Sequence, residues 1–139
     1  MNEIVGTSIV GTWRLVKTAA RNDAGEPMHP PYGDKPRGLV IFYDDKRMMS
    51  VLCDGRRDLP ADAGESEYNS YCGNYEFDGK TLVTRVDASA SKERIGGEQV
   101  RDVRFDGALM VLTQNPRPWR GVMQHRELIW ERIADAPGN

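Results

Sequence analysis

Apolar and polar residues alternate along most of this chain, with the period of two that a half-buried β-strand requires. Eight stretches carry it: 12–20 (TWRLVKTAA), 37–43 (RGLVIFY), 47–53 (RMMSVLC), 73–77 (GNYEF), 80–88 (KTLVTRVDA), 98–105 (EQVRDVRF), 108–114 (ALMVLTQ) and 123–133 (MQHRELIWERI). Asp44-Asp45-Lys46 separates the second from the third, and Asp-Gly pairs at 78–79 and 106–107 separate later ones. Asp-Gly tolerates positive φ and marks hairpins. Phe-Asp-Gly occurs at 77–79 and at 105–107, which reads as one turn used twice. Sequential strands joined by hairpins predict an all-β fold, an eight-stranded antiparallel up-and-down barrel. Eight strands is also the size at which a closed sheet holds side chains or one small ligand. A sandwich with a filled core is the alternative.

Two segments interrupt the alternation. Residues 22–36 (NDAGEPMHPPYGDKP) are rich in Pro and Gly and read as a loop. Residues 60–72 (PADAGESEYNSYC) place Ala, Glu and Tyr at helical spacing behind Pro60 and predict a short helix, weakened by Gly64. The first residues can form a short helical turn over one end. One or two short helices thus accompany the barrel.

Length and composition narrow the function classes. The 139 residues suit a single domain, 1–139, with one core. A net charge of −2 gives no footprint for nucleic acid. No run approaches the ~20 apolar residues of a membrane span. The N-terminus lacks the features of a signal peptide, so a cytoplasmic protein with free thiols at Cys53 and Cys72 is expected. With two histidines, His29 and His125, and no CxxC, no metal site is expected. Phosphate-binding loops, dinucleotide fingerprints and GxSxG are absent from the sequence, so no cofactor is expected.

The pieces GTWRLV, GLVIFYDDKRMMSV, YCGNYEFDG, GGEQVRDVRFDGALMVLT and ELIWERI follow one another across nearly the whole chain. In that order and spacing the chain resembles the bacterial lipocalin-like domain family, small cytosolic barrel proteins. The resemblance implies a barrel and a pocket more than an activity. Members often carry a histidine in the fifth strand; here that stretch reads VTRVDAS, with Thr84 and Arg85, so no histidine role carries over. The resemblance also implies that an arginine of the last strand, Arg132, packs across the first-strand Trp13. Such a cation–π contact is worth about 0.5–2 kcal/mol.

Strand parity then sorts inward from outward residues. If Trp13 points in, so do Leu15 and, by simple alternation, Lys17. Leu128, Trp130 and Arg132 share a face, as do Tyr71, Gly73, Tyr75 and Phe77; Leu82, Thr84 and Val86; Gln99, Arg101, Val103 and Phe105; and Leu109, Val111 and Thr113. Val40, Phe42, Met49, Val51 and Cys53 are expected to face in. A slip of one residue would exchange the polar members of these faces for Cys72, Asn74, Arg85 and Asp87.

An inward arginine is costly unless it is paired or solvated. Arg101 therefore points outward, pairs with an internal acid such as Glu76, or binds an anionic or carbonyl oxygen with Gln99. On the last reading Tyr75 donates a proton or hydrogen bond to the same oxygen, with Asp87 assisting. Val40, Phe42, Met49, Val51, Tyr71, Thr84, Arg85, Gln99 and Trp119 complete the candidate ligand wall. These residues suit a cofactor-free isomerase, cyclase, dehydratase or lyase acting on a small, largely apolar or aromatic oxygen-bearing molecule. The alternatives are a carrier of a small hydrophobic ligand and a filled barrel that serves as an interaction module. Outward positions Ile41, Met110 and Leu112 are expected to offer a homodimer face.

Overall fold

Turn chemistry sets the register of this sheet. The computed structural model describes residues 8–56 and 68–135. Nine strands run in chain order: β1 Gly11–Arg21, β2 Pro36–Phe42, β3 Arg47–Asp54, β4 Tyr68–Phe77, β5 Thr81–Ser89, β6 Glu98–Asp106, β7 Leu109–Gln114, β8 Arg117–Trp119 and β9 Val122–Ala134. Each pairs antiparallel with its neighbour, β9 lies beside β7, and β9 also pairs with β1. Eight strands therefore close into the expected barrel. The short β8 is a ninth, added along the free part of β9 through Arg117↔Gln124 and Trp119↔Val122. The repeated Phe-Asp-Gly does serve the same turn twice. Gly79 (φ 100°) and Gly107 (φ 60°) each open a two-residue loop that requires positive φ at its first position.

A single one-turn 3-10 helix, Lys92–Arg94, is found among the described residues. The helix expected over 60–72 falls largely outside them. Its last residues, 68–72, instead open β4, where laddering against β3 (Cys53↔Tyr68, Met49↔Cys72) satisfies the backbone. The turn expected at the N-terminus also lies mostly outside the described residues. No helix among the described residues is long and apolar enough to cross a membrane.

Three inward–outward expectations are corrected, each by backbone geometry. In β3 the inward residues are Met48, Ser50 and Leu52, while Met49 and Val51 are 48% and 41% exposed. The loop after Tyr43 has Lys46 at φ 74° and pairs Phe42 with Met48, so an inward Phe42 fixes an inward Met48. In β7 the Gly107 loop pairs Phe105 with Met110, which turns Met110 and Leu112 inward in place of Leu109, Val111 and Thr113. Met110 is 0% exposed and Leu112 7%, so neither contributes to an outer dimer face. In β1 a bulge between Leu15 and Lys17 leaves Lys17 exposed and brings Thr18 and Ala20 to the inner side.

The two ends of the barrel differ. One is a floor packed from Ile9, Trp13, Phe42, Tyr75, Phe77, Phe105 and Met110. Trp13 is 1% exposed and donates from Nε1 to the Ile9 carbonyl at 3.0 Å. The Arg132 guanidinium lies 4.3 Å over its ring and donates to the carbonyls of Val10 and Ser8. Gly11, at φ 135°, runs so close beneath that a Cβ there would meet Arg132 Nη1 at 2.6 Å. Arg132 thus ties the chain entering β1 to the strand that closes the barrel. Arg132→Met is expected to cost about 2 kcal/mol, read as a lower urea midpoint at unchanged slope. A wild-type midpoint would show that the clamp is idle.

Candidate functional site

The opposite end holds a cavity lined by both apolar and cationic side chains. Its volume is about 60 Å³, several times what one water needs. Phe42, Leu52, Leu82, Leu112, Leu128 and Trp130 form its apolar wall. Tyr32, Asn69, Tyr71 and Gln114 supply neutral polar groups. Arg94, Arg101, Arg117 and Arg126 supply four guanidiniums. Among the described residues no carboxylate lines this space.

The four arginines come from four places in the chain. Arg101 stands inward on β6 and Arg126 inward on β9, each set by its strand's alternation. Arg94 sits on the 3-10 turn between β5 and β6, and Arg117 on β8. Arg94 Nη1 and Arg101 Nη2 both donate to a single neutral acceptor, Gln99 Oε1, at 3.2 and 2.7 Å. Arg101 Nη1 also donates to the Val100 carbonyl at 2.9 Å, and Arg126 Nε to Gln124 Oε1 at 2.7 Å. Burial pulls the Arg101 guanidinium below its ordinary pKa, and the charges of Arg94 and Arg117 act in the same direction. It remains a cation at neutral pH. Ion pairs elsewhere, such as Arg47–Asp87 and Arg14–Glu131, are formed by exposed residues. Arg94, Arg101 and Arg117 form none with a described residue.

Two further polar groups belong to residues of this wall. Tyr32 is buried at φ 65°, a strained backbone for an aromatic residue. Its loop is held in place by Thr18 Oγ1, which donates to the Pro31 carbonyl at 2.6 Å, and by the turn bond from Gly33 N to the Pro30 carbonyl. Burial raises the Tyr32 pKa, an effect that Arg126, Asn69 and Arg94 only partly offset, so the phenol stays protonated. The indole Nε1 of Trp130 is buried and meets no acceptor among the described residues.

The residues expected from the sequence divide into three groups. Val40, Phe42, Tyr71 and Arg101 line the cavity, and Gln99 lies directly behind Arg101. Thr84 and Tyr75 are buried inside the barrel but do not line the cavity. The Tyr75 hydroxyl donates to the Tyr43 carbonyl at 2.7 Å, and its ring meets Phe42 edge-on at 5.1 Å. Asp87 and Arg85 lie on the outer surface, Asp87 against Arg47 at 2.6 Å and Arg85 toward Glu98 at 3.5 Å. Met49 and Val51 are on that surface too, and Trp119 belongs to β8. The proposed partnership of Tyr75, Arg101 and Asp87 is therefore not assembled. Glu76 is exposed and is not the partner of Arg101.

Sequence reading missed Tyr32, Arg94, Arg117 and Arg126. Arg126 was within its reach, because the inward series Arg132, Trp130, Leu128 continues to Arg126 and Gln124. Tyr32 had a fainter signal, an aromatic between Pro30-Pro31 and Gly33 in an otherwise polar loop. Arg94 and Arg117 sit outside the periodic strands and had no signal of this kind.

Like charges held together in a partly dry site lower stability, and an acid placed among them should restore it. Gln99→Glu, which offers Arg94 and Arg101 a carboxylate, is expected to raise stability by about 1 kcal/mol in anion-free buffer. An unchanged or lower thermal midpoint would argue against the charge strain described here.

The comparisons with known proteins agree with this geometry at the level of family. No curated protein and no solved structure matches the chain. The family model described as the lipocalin-like domain matches residues 10–133, from the residue before β1 to the last residue but one of β9. The match spans both the floor clamp and the arginine-lined mouth, and barrels of this kind suit small ligands. The chain belongs to the lipocalin-like domain family.

Proposed function

We propose that this barrel binds a small organic anion, its charged head among the arginines and its apolar body against Phe42, Leu112, Leu128 and Trp130. The observation that carries this reading is the shared use of Gln99 Oε1 by Arg94 and Arg101. Arg132, which serves the fold, has an aromatic face and two carbonyls to itself, whereas Arg94 and Arg101 crowd onto one side-chain oxygen. Here they meet a neutral oxygen, which leaves their charge for a ligand. The mixed wall, apolar with a few convergent polar groups, has the make-up of a ligand pocket.

A catalytic role, as a cofactor-free isomerase, cyclase, dehydratase or lyase, would need an acid or base beside the bound oxygen. Tyr32 and Tyr71 are the phenols on the cavity wall, and Arg101 could polarise the oxygen they face. Binding without chemistry is the preferred reading because it requires only the cations and the apolar wall.

The test is calorimetry with matched pairs of small aromatic and aliphatic carboxylates and their neutral amides, beginning with benzoate and benzamide. The carboxylates are expected to bind and the amides not. Arg101→Met should weaken carboxylate binding by about tenfold or more. Gln99→Glu should also weaken it, although it stabilises the fold. Equal binding of acid and amide would overturn the reading.

A further inference from the structure

The number of cations at the mouth bears on the charge of the ligand as well as its sign. Arg94 and Arg117 act electrostatically on Arg101 and share the mouth with Arg126. One carboxylate would neutralise one of Arg94, Arg101 and Arg117 and leave two cations uncompensated by any described residue. The hydrogen-bond inventory is equally one-sided. Each guanidinium carries five N–H donors and no acceptor. Arg94 and Arg101 spend three bonds on two oxygens, those of Gln99 and Val100. A carboxylate has two oxygens to offer, whereas a phosphoryl group has three in a pyramid that several guanidiniums can reach at once. The protonated Tyr32 phenol adds a further donor. Described acids that could compete, Glu98, Asp87 and Glu127, are engaged with Arg85, Arg47 and Arg104 on other parts of the surface.

We infer that the preferred ligand is a dianion, a small phosphate monoester or a molecule with two adjacent carboxylates, whose doubly charged head sits among Arg94, Arg101 and Arg117 at the barrel mouth. This rests on the anion-binding reading above and narrows it to a class. The apolar wall behind the head then selects a short apolar body. A second negative charge adds attraction to the cations at the mouth, most strongly to Arg101, the one most withdrawn from water.

Phenyl phosphate and phenyl sulfate test this directly, because they share a shape and differ in charge at pH 7.5. Titration calorimetry on the full chain should give phenyl phosphate at least about tenfold tighter binding than phenyl sulfate. The advantage should shrink at pH 5, where the phosphate is largely a monoanion, its second pKa lying near 6. The charged groups facing the head from the surrounding elements are Arg94, Arg101, Arg117 and Arg126, with Tyr32 and Tyr71. None of these side-chain types ordinarily titrates between pH 5 and 7.5, so the change would belong to the ligand. Phthalate against benzoate repeats the comparison for paired carboxylates. Arg117→Gln should reduce binding of phenyl phosphate more than that of phenyl sulfate. Equal affinities for phosphate and sulfate would overturn the dianion inference and leave anion binding intact. If neither these esters nor the carboxylates bind better than neutral phenyl compounds, the anion-binding reading itself fails.

Discussion

Closure of the sheet through β1 and β9 is the constraint on which everything else in this barrel depends. The two strands pair from Thr12↔Ala134 to Arg21↔His125. That long ladder brings Arg132 over Trp13 at one end and carries Arg126 to the cavity at the other. One strand therefore supplies the floor clamp and part of the mouth. At the floor, a cation is held by an aromatic face and two backbone carbonyls. At the mouth, Arg94 and Arg101 share one neutral acceptor, Gln99 Oε1. The contrast between these ends is physical evidence that the arginines play different parts.

The distribution of charge supports that distinction. The chain as a whole carries a small negative charge, so the concentration of guanidiniums at one opening is local design rather than bulk composition. Burying like charges lowers stability, and proteins retain such arrangements where a site uses them. The strained Tyr32 and the unsatisfied indole of Trp130 lie on the same cavity wall. Backbone strain and an unsatisfied buried donor are features that accumulate at functional sites.

The closed barrel, its strand order and most strand boundaries were legible in the sequence, because period-two alternation and Gly-containing turns are local signals. Inward faces were legible where an aromatic anchored the count, as for Trp13, Phe42 and Trp130. The count failed where a loop changed it. Lys46 at positive φ moved β3 by one residue, and the β1 bulge moved Lys17 outward. The inward position of Arg101, with Gln99 beside it, was legible from strand parity. Tyr75 was misjudged because a tyrosine at an inward position does not reveal whether its hydroxyl is already satisfied, here by the Tyr43 carbonyl. Arg94 and Arg117 reach the site from a turn and a short added strand, and only tertiary structure brings them there.

The central claim is that the arginines at the mouth are held ready for an external anion. A crystal structure of the chain with phenyl phosphate tests it most directly. The account expects the phosphoryl oxygens within hydrogen-bond distance of the Arg94 and Arg101 guanidiniums, with Gln99 still behind them and the ring against Trp130 and Leu128. A phosphate bound elsewhere, or a carboxylate of the chain itself lodged between those two guanidiniums, would contradict it.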